Sequence, residues 1–62
     1  MASLESAGII LRLINSLQRQ VTVTDLVEHL SMPKSSASRL LKQMAEEGFL
    51  ERDAVTRAYG PA

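Results

Sequence analysis

The residues between 34 and 43 are rich in hydrogen-bond donors and include no acid. The donors are Lys34, Ser35, Ser36, Ser38, Arg39, Lys42 and Gln43. A helix that enters the major groove of DNA must offer donors to phosphates and base edges without repulsive carboxylates. Arginine can form a bidentate hydrogen bond with guanine, and glutamine can do the same with adenine. Arg39 and Gln43, four residues apart, are therefore predicted to reach bases. Lys42 is expected to meet a phosphate.

The N-terminal end of this segment is also suited to binding an anion such as a phosphate. A helix N-terminus has free N–H groups and a positive dipole, and Lys34 and Ser35 lie in the predicted first turn. The alternative is a solvated helix face, the usual role of charged side chains. The acids are distributed unevenly, since five of the seven lie on the second helix, at the C-terminal end of the third helix or at the base of the hairpin: Asp25, Glu28, Glu46, Glu47 and Glu51. A net charge of zero can therefore belong to a dipolar molecule.

Three more residues complete the candidate DNA contacts. Arg52 and Arg57 flank a predicted hairpin loop, where they could grip the backbone or enter the minor groove. Surface solubilisation explains either arginine equally well. Thr24, the predicted N-cap of the second helix, is the remaining candidate.

Catalysis and metal binding find no support in the sequence. His29 is the single histidine, there is no cysteine, and no Gly-rich phosphate loop is present. Glu46 and Glu47 are adjacent, so they cannot share one helix face as an acid pair. We expect no cofactor and no enzymatic activity.

Three helices are predicted to position these residues. The first spans residues 4–18 after Ser3 as N-cap, and the second spans 25–30. Pro33 is predicted to begin the third, over 33–47, and Gly48 to end it as a left-handed cap.

The apolar residues indicate which helix faces are buried. On the third helix they are Ala37, Leu40, Leu41 and Met44, and on the first Ala7, Ile10, Leu13, Ile14 and Leu17. Ile9 and Leu11 lie outside the latter face. Either this short chain uses every apolar side chain in its core, or the first helix forms a dimer contact through Ile9 and Leu11.

The β structure is predicted to be small. Val21, Thr22 and Val23 form a β-branched patch that could add one short strand, and residues 49–52 and 57–59 suggest a hairpin around 53–56. The fold class is therefore mainly α with a small β hairpin, in the order of a winged helix-turn-helix.

Length and composition limit the remaining possibilities. Sixty-two residues, 45% of them hydrophobic, fit one small domain over 1–62. The absence of cysteine favours a reducing, cytoplasmic setting. The longest apolar run is far shorter than a membrane span, so no membrane association is expected.

Several segments together resemble the N-terminal domain of IclR-type bacterial transcriptional regulators. They are Ser3-Leu4-Glu5-Ser6-Ala7, Val23-Thr24-Asp25-Leu26, Met32-Pro33-Lys34-Ser35-Ser36-Ala37-Ser38-Arg39-Leu40-Leu41, Glu47-Gly48-Phe49-Leu50-Glu51-Arg52-Asp53 and Tyr59-Gly60-Pro61. The resemblance implies a longer regulator with an effector-binding domain after a linker, a homodimer, and a palindromic operator in double-stranded DNA.

Two positions depart from the family pattern. Ser31 stands where family members usually have glycine, and a left-handed conformation there would cost a serine roughly 1 kcal/mol. Ala54 and Arg57 occupy a wing that often contains proline and glycine. A protein-interaction module with the same fold is the alternative function, because fold does not fix function.

Overall fold

The computed structural model describes residues 4–62, so the predicted N-cap Ser3 lies outside the described residues. Three helices precede a two-stranded hairpin: α1 (Leu4–Leu17), α2 (Val23–Leu30), α3 (Lys34–Glu46), β1 (Leu50–Arg52) and β2 (Tyr59–Pro61). The strands pair antiparallel, with Arg52 opposite Tyr59 and Leu50 opposite Pro61. This order confirms the predicted fold class.

One apolar cluster holds the elements together. Its largest side chains with no exposed surface are Ile10, Val21, Leu26, Leu41 and Met44, which come from α1, the α1–α2 loop, α2 and α3. Ala7 and Ile14 add the rest of the buried α1 face. The other predicted members of the buried faces, namely Leu13, Leu17 and Leu40, are only half-buried at the edge of the cluster.

The N-terminus of α2 differs from the sequence prediction. Thr22, not Thr24, is the N-cap, and α2 begins at Val23 rather than at residue 25. The reason is a capping box: the Asp25 backbone N–H donates to Thr22 Oγ1 at 3.3 Å, and the Thr22 backbone N–H donates to Asp25 Oδ2 at 2.9 Å. Of the predicted β patch, only Val21 pairs, through an isolated antiparallel bridge to Tyr59.

A bidentate ion pair reinforces this cap. The Arg19 guanidinium donates to both carboxylate oxygens of Asp25 at 2.8 and 2.9 Å. Asp25 is nine-tenths buried. The hydrogen bonds from Arg19, together with those from Thr22, hold the pKa of the Asp25 carboxyl far below its usual range despite its burial.

The turn between α2 and α3 has the left-handed backbone conformation that the family pattern implies at residue 31. Ser31 has φ 54° and ψ 35°, so it occupies the left-handed region where the family usually has glycine. Pro33 is the N-cap of α3 rather than its first helical residue. Gly48, with φ 86°, follows the C-cap Glu47 in the left-handed conformation predicted for it.

The second strand lies two residues later than predicted. It covers Tyr59–Pro61 instead of residues 57–59, because the connecting loop is longer than the predicted 53–56. The Asp53 backbone N–H donates to the Ala58 carbonyl at 2.8 Å, which closes this loop at its base. Arg57 cannot extend the strand, since it has φ 63°.

We expect the two neighbouring leucines of α3 to differ in their effect on stability. Leu41→Ala should lower the free energy of unfolding by about 2–5 kcal/mol, because Leu41 has no exposed surface. Leu40→Ala should cost less, because Leu40 is half-buried. Chemical denaturation of both variants checks this order, and equal or reversed losses would contradict the observed rotation of α3.

The low pKa of Asp25 predicts loss of stability in acid. A carboxyl with a folded pKa below its unfolded pKa of about 3.9 stabilises the fold above that pH, and this contribution is lost as the pH falls toward the folded value. Asp25→Asn should lower the free energy of unfolding near pH 7 by roughly 1–3 kcal/mol and flatten its decline below about pH 4. Arg19→Gln should raise the folded pKa of Asp25, so that the decline still begins near the unfolded pKa but is smaller and ends at a higher pH. Urea titrations across this pH range measure both effects, and an unchanged acid profile in Asp25→Asn would rule out the assignment.

Candidate nucleic-acid interface

The polar side of α3 is open to solvent along its length. Six of the seven donors predicted to contact DNA are exposed, namely Lys34, Ser35, Ser36, Ser38, Arg39 and Lys42. The seventh, Gln43, is half-buried. Ala37, Leu41 and Met44 occupy the opposite, buried side.

The donors of α3 point in three directions, because successive residues turn by about 100° around a helix axis. Ser35, Arg39 and Lys42 lie directly opposite the buried side. Lys34 and Ser38 turn toward the hairpin, and both line a groove that it forms with α3. The last two, Ser36 and Gln43, lie on the flank away from the hairpin. The predicted base readers Arg39 and Gln43 are therefore neighbours, with Arg39 the more exposed.

A groove between α3 and the hairpin brings together candidates from three elements. We call it the wing groove; its walls are Thr22, Val23, Thr24, Lys34, Ser38, Arg52, Thr56, Arg57 and Tyr59. Five of these nine residues were predicted as DNA contacts, and they are far apart in the sequence. Thr24 thus lies beside the other candidates although it does not cap α2.

A second depression continues along α3 from the wing groove. Its walls are Ser38, Lys42, Ala45, Glu46, Arg52 and Tyr59, and we call it the C-terminal depression. Ser38, Arg52 and Tyr59 belong to both. The guanidinium of Arg52 lies 6.0 Å from the centre of the Tyr59 ring, a cation–π contact that places its charge between the two cavities.

Glu46 follows the donor segment of α3 in the sequence. The structure places it in the last turn of α3, but within the C-terminal depression beside Lys42 and Arg52. An acid therefore marks the far end of this otherwise basic surface. Glu46 is consequently unsuitable as an inert position when DNA affinity is compared between variants.

Asp53, which the sequence analysis did not select, shapes the loop that carries Arg57. Its Oδ1 accepts hydrogen bonds from the backbone N–H groups of Val55 and Thr56 at 2.8 and 3.1 Å. These bonds lower the pKa of the Asp53 carboxyl, the larger effect coming from Thr56. The available signal was an aspartate directly after a strand, a position typical of a side chain that caps its own turn.

The positive charges are concentrated on this side of the molecule. Five of the seven lysines and arginines lie on α3 or on the hairpin and its loop: Lys34, Arg39, Lys42, Arg52 and Arg57. Of the other two, Arg19 is paired with Asp25 and Arg12 lies on α1. A chain with no net charge therefore presents a basic surface that combines α3 with the hairpin.

Comparison with known proteins identifies the family to which this domain belongs. A model of the IclR helix-turn-helix domain matches residues 3–54. The chain belongs to the IclR helix-turn-helix family. The resemblance found in the sequence is therefore confirmed.

Two similar proteins give the same assignment. The glycerol operon regulatory protein of Streptomyces coelicolor is 33% identical over 57 residues, which cover 92% of this chain and 22% of that protein. The crystal structure of Pseudomonas aeruginosa HmgR matches with a TM-score of 0.76 and 31% identity, over 94% of this chain and 24% of the HmgR chain. The IclR domain described here thus spans about a quarter or less of either protein.

The two residues predicted to form a dimer contact lie on different sides of α1 in this IclR domain. Ile9 and Leu11 are both partly exposed, at 44% and 37%, but two residues apart they point about 160° away from each other. Ile9 borders an apolar groove whose other walls are Ser6, Ile10, Leu30, Met32 and Leu40. Leu11 does not line this groove.

Residues 4–62 of the IclR domain contain neither a cluster of metal-ligating side chains nor a membrane-spanning helix. No three histidine, cysteine, aspartate or glutamate side chains in this range come together as metal ligands. His29 is exposed in the last turn of α2. None of the three helices is long and apolar enough to cross a bilayer.

Proposed function

We propose that this domain binds double-stranded DNA sequence-specifically, with α3 in the major groove and the hairpin as a wing beside the adjacent backbone. The observation that supports this proposal is that α3 and the hairpin together form one basic surface, although the chain has no net charge. Along that surface Glu46 is the one acid of α3 itself, and it lies in the last turn.

The direction in which each donor points indicates which part of the DNA it would contact. Arg39 projects from the middle of the outward face of α3, where a forked guanidinium can bond guanine in the groove. Lys34 and Ser35 occupy the first turn, whose free N–H groups and dipole attract a phosphate. Lys42, one turn from Arg39 on the same outward face, contacts the opposite wall of the groove.

The hairpin adds contacts outside the major groove. Arg52 projects from β1 into both cavities, and Arg57 projects from the loop into the wing groove. The left-handed backbone of Arg57 and the turn held by Asp53 set the direction of this loop. We infer that the two arginines grip phosphates on the wing side of the duplex.

The matched proteins are about four times as long as this chain, which supports a larger regulator. We infer that residues 1–62 are its N-terminal DNA-binding domain. A further domain would bind a small-molecule effector, and two copies would bind a palindromic operator. The apolar groove beside Ile9 supports a homodimer in which α1 of one copy packs near that groove of the other.

Two substitutions on α3 should separate base reading from phosphate binding. Arg39→Ala should cost about 1–3 kcal/mol on a preferred duplex and relax preference at one base position. Lys34→Ala should weaken binding to all duplexes alike and reduce the slope of log affinity against log salt by about one. The measurement is a titration against a duplex selected from a random pool and its scrambled version, across a salt series.

Arg12→Ala is the matched control, because it removes the same charge from α1, away from both cavities. Thermal unfolding of each variant checks that the fold is retained. Equal losses for Arg39→Ala on both duplexes would make Arg39 a phosphate contact. No loss for Arg39→Ala or Lys34→Ala would contradict DNA binding by α3 and favour a protein-interaction role.

The dimer is tested by a charge placed at its proposed contact. Ile9→Glu should give a folded monomer, because a carboxylate on the rim of the apolar groove would be desolvated in the dimer. Leu11→Glu, on the other side of α1, is the control and should leave association unchanged. Sedimentation velocity over a concentration series measures both. A monomeric unmodified chain at every concentration, or dissociation by Leu11→Glu alone, would be inconsistent with the proposed contact.

A further inference from the structure

Tyr59 lies where the hairpin meets the body of the domain. It is the first residue of β2, pairs with Arg52 across the hairpin, and forms two backbone hydrogen bonds with Val21 at 2.7 and 2.9 Å. Only 8% of the residue is exposed, and its ring belongs to the apolar core. The ring is therefore held by backbone pairing, by packing and by the Arg52 guanidinium.

The hydroxyl of this tyrosine forms no hydrogen bond with residues 4–62. A fully buried tyrosine hydroxyl would normally have such a partner. The same residues contain no buried side-chain oxygen or nitrogen without a partner. It follows that Oη is the part of Tyr59 that reaches solvent, through the cavities that the residue lines.

The two cavities that Tyr59 lines contain four cations and one acid, Glu46. Tyr59 is common to the wing groove, which Lys34 and Arg57 also line, and to the C-terminal depression, which Lys42 lines. Arg52 lies over the ring and belongs to both. An anionic oxygen is the ligand that such cations and a free hydroxyl donor recognise together.

We propose that the Tyr59 hydroxyl donates a hydrogen bond to a phosphate oxygen of the DNA strand that passes between α3 and the hairpin. This contact rests on the DNA-binding function proposed above and adds a binding residue to it. A phosphate fits better than a base, because Tyr59 lies at the back of the groove while Arg39 and Ser35 face outward. The donor is already fixed by the core, so binding costs it little conformational entropy.

Tyr59→Phe tests this contact, since it removes only the hydroxyl. Affinity for duplex DNA should fall roughly tenfold. The fall should be the same for a selected duplex and its scrambled version, and the salt slope should not change, because no charge is lost. Thermal unfolding should be unaffected, since the hydroxyl has no partner in the protein. Lys34→Ala is measured in parallel and should reduce the salt slope by about one.

Each other outcome overturns a defined part of the proposal. Unchanged affinity in Tyr59→Phe, with a loss in Lys34→Ala, would reject the tyrosine contact and leave DNA binding intact. A loss confined to the selected duplex would make the hydroxyl a base reader and reject the phosphate. A lowered unfolding temperature would show that the hydroxyl bonds within the protein. Absence of duplex binding by the unmodified chain would reject both the contact and the proposed function.

Discussion

Ala37, Leu41 and Met44 have no exposed surface, and their burial fixes the rotation of α3 about its axis. A rotation of one residue would turn these side chains into water and bring polar groups into the core, which costs several kcal/mol in so small a domain. The outward direction of Arg39 and Lys42 follows from this constraint. The same packing keeps Lys34 and Ser38 turned toward the hairpin, so the apolar side of α3 determines the geometry of its polar side.

The hairpin depends on the same core through Tyr59. A two-stranded hairpin is marginally stable alone in water, and here it is anchored by the Val21 bridge and by the buried Leu50 and Tyr59. Gly60 permits close approach at this point, since a Cβ there would lie 3.1 Å from the Gln20 side chain. The anchor brings Arg52 beside α3 and thereby creates both cavities. Tyr59 therefore belongs both to the apolar core and to the binding surface.

Two of the acids have partners other than the cations of the binding surface. The Asp25 carboxylate accepts hydrogen bonds from Arg19 and from Thr22 at the cap of α2, and the Asp53 carboxylate accepts hydrogen bonds from backbone N–H groups of its own turn. These two acids therefore serve folding. Neither neutralises a lysine or arginine of α3, and among the residues that line the two cavities Glu46 is the one acid beside the cations.

The local features of this protein can be predicted from its sequence. The α1 and α3 boundaries, the left-handed cap at Gly48 and the acid-free donor segment follow from periodicity, capping preference and residue type, which act over a few residues. The errors were also local. The N-cap of α2 is Thr22 instead of Thr24 because Asp25 completes a capping box with Thr22, and β2 begins later than predicted because the turn around Asp53 lengthens the loop.

The arrangement of distant segments cannot be predicted in this way. The separation of Ile9 from Leu11, the position of Glu46 beside Lys42 and Arg52, and the gathering of Thr24, Lys34, Arg52 and Arg57 around one groove all depend on how helices and hairpin pack. The free hydroxyl of Tyr59 belongs to the same class, because a tyrosine in a strand pattern indicates burial of the ring but not what its oxygen meets. Packing joins residues that are far apart in the chain, and no spacing rule along one segment contains that information.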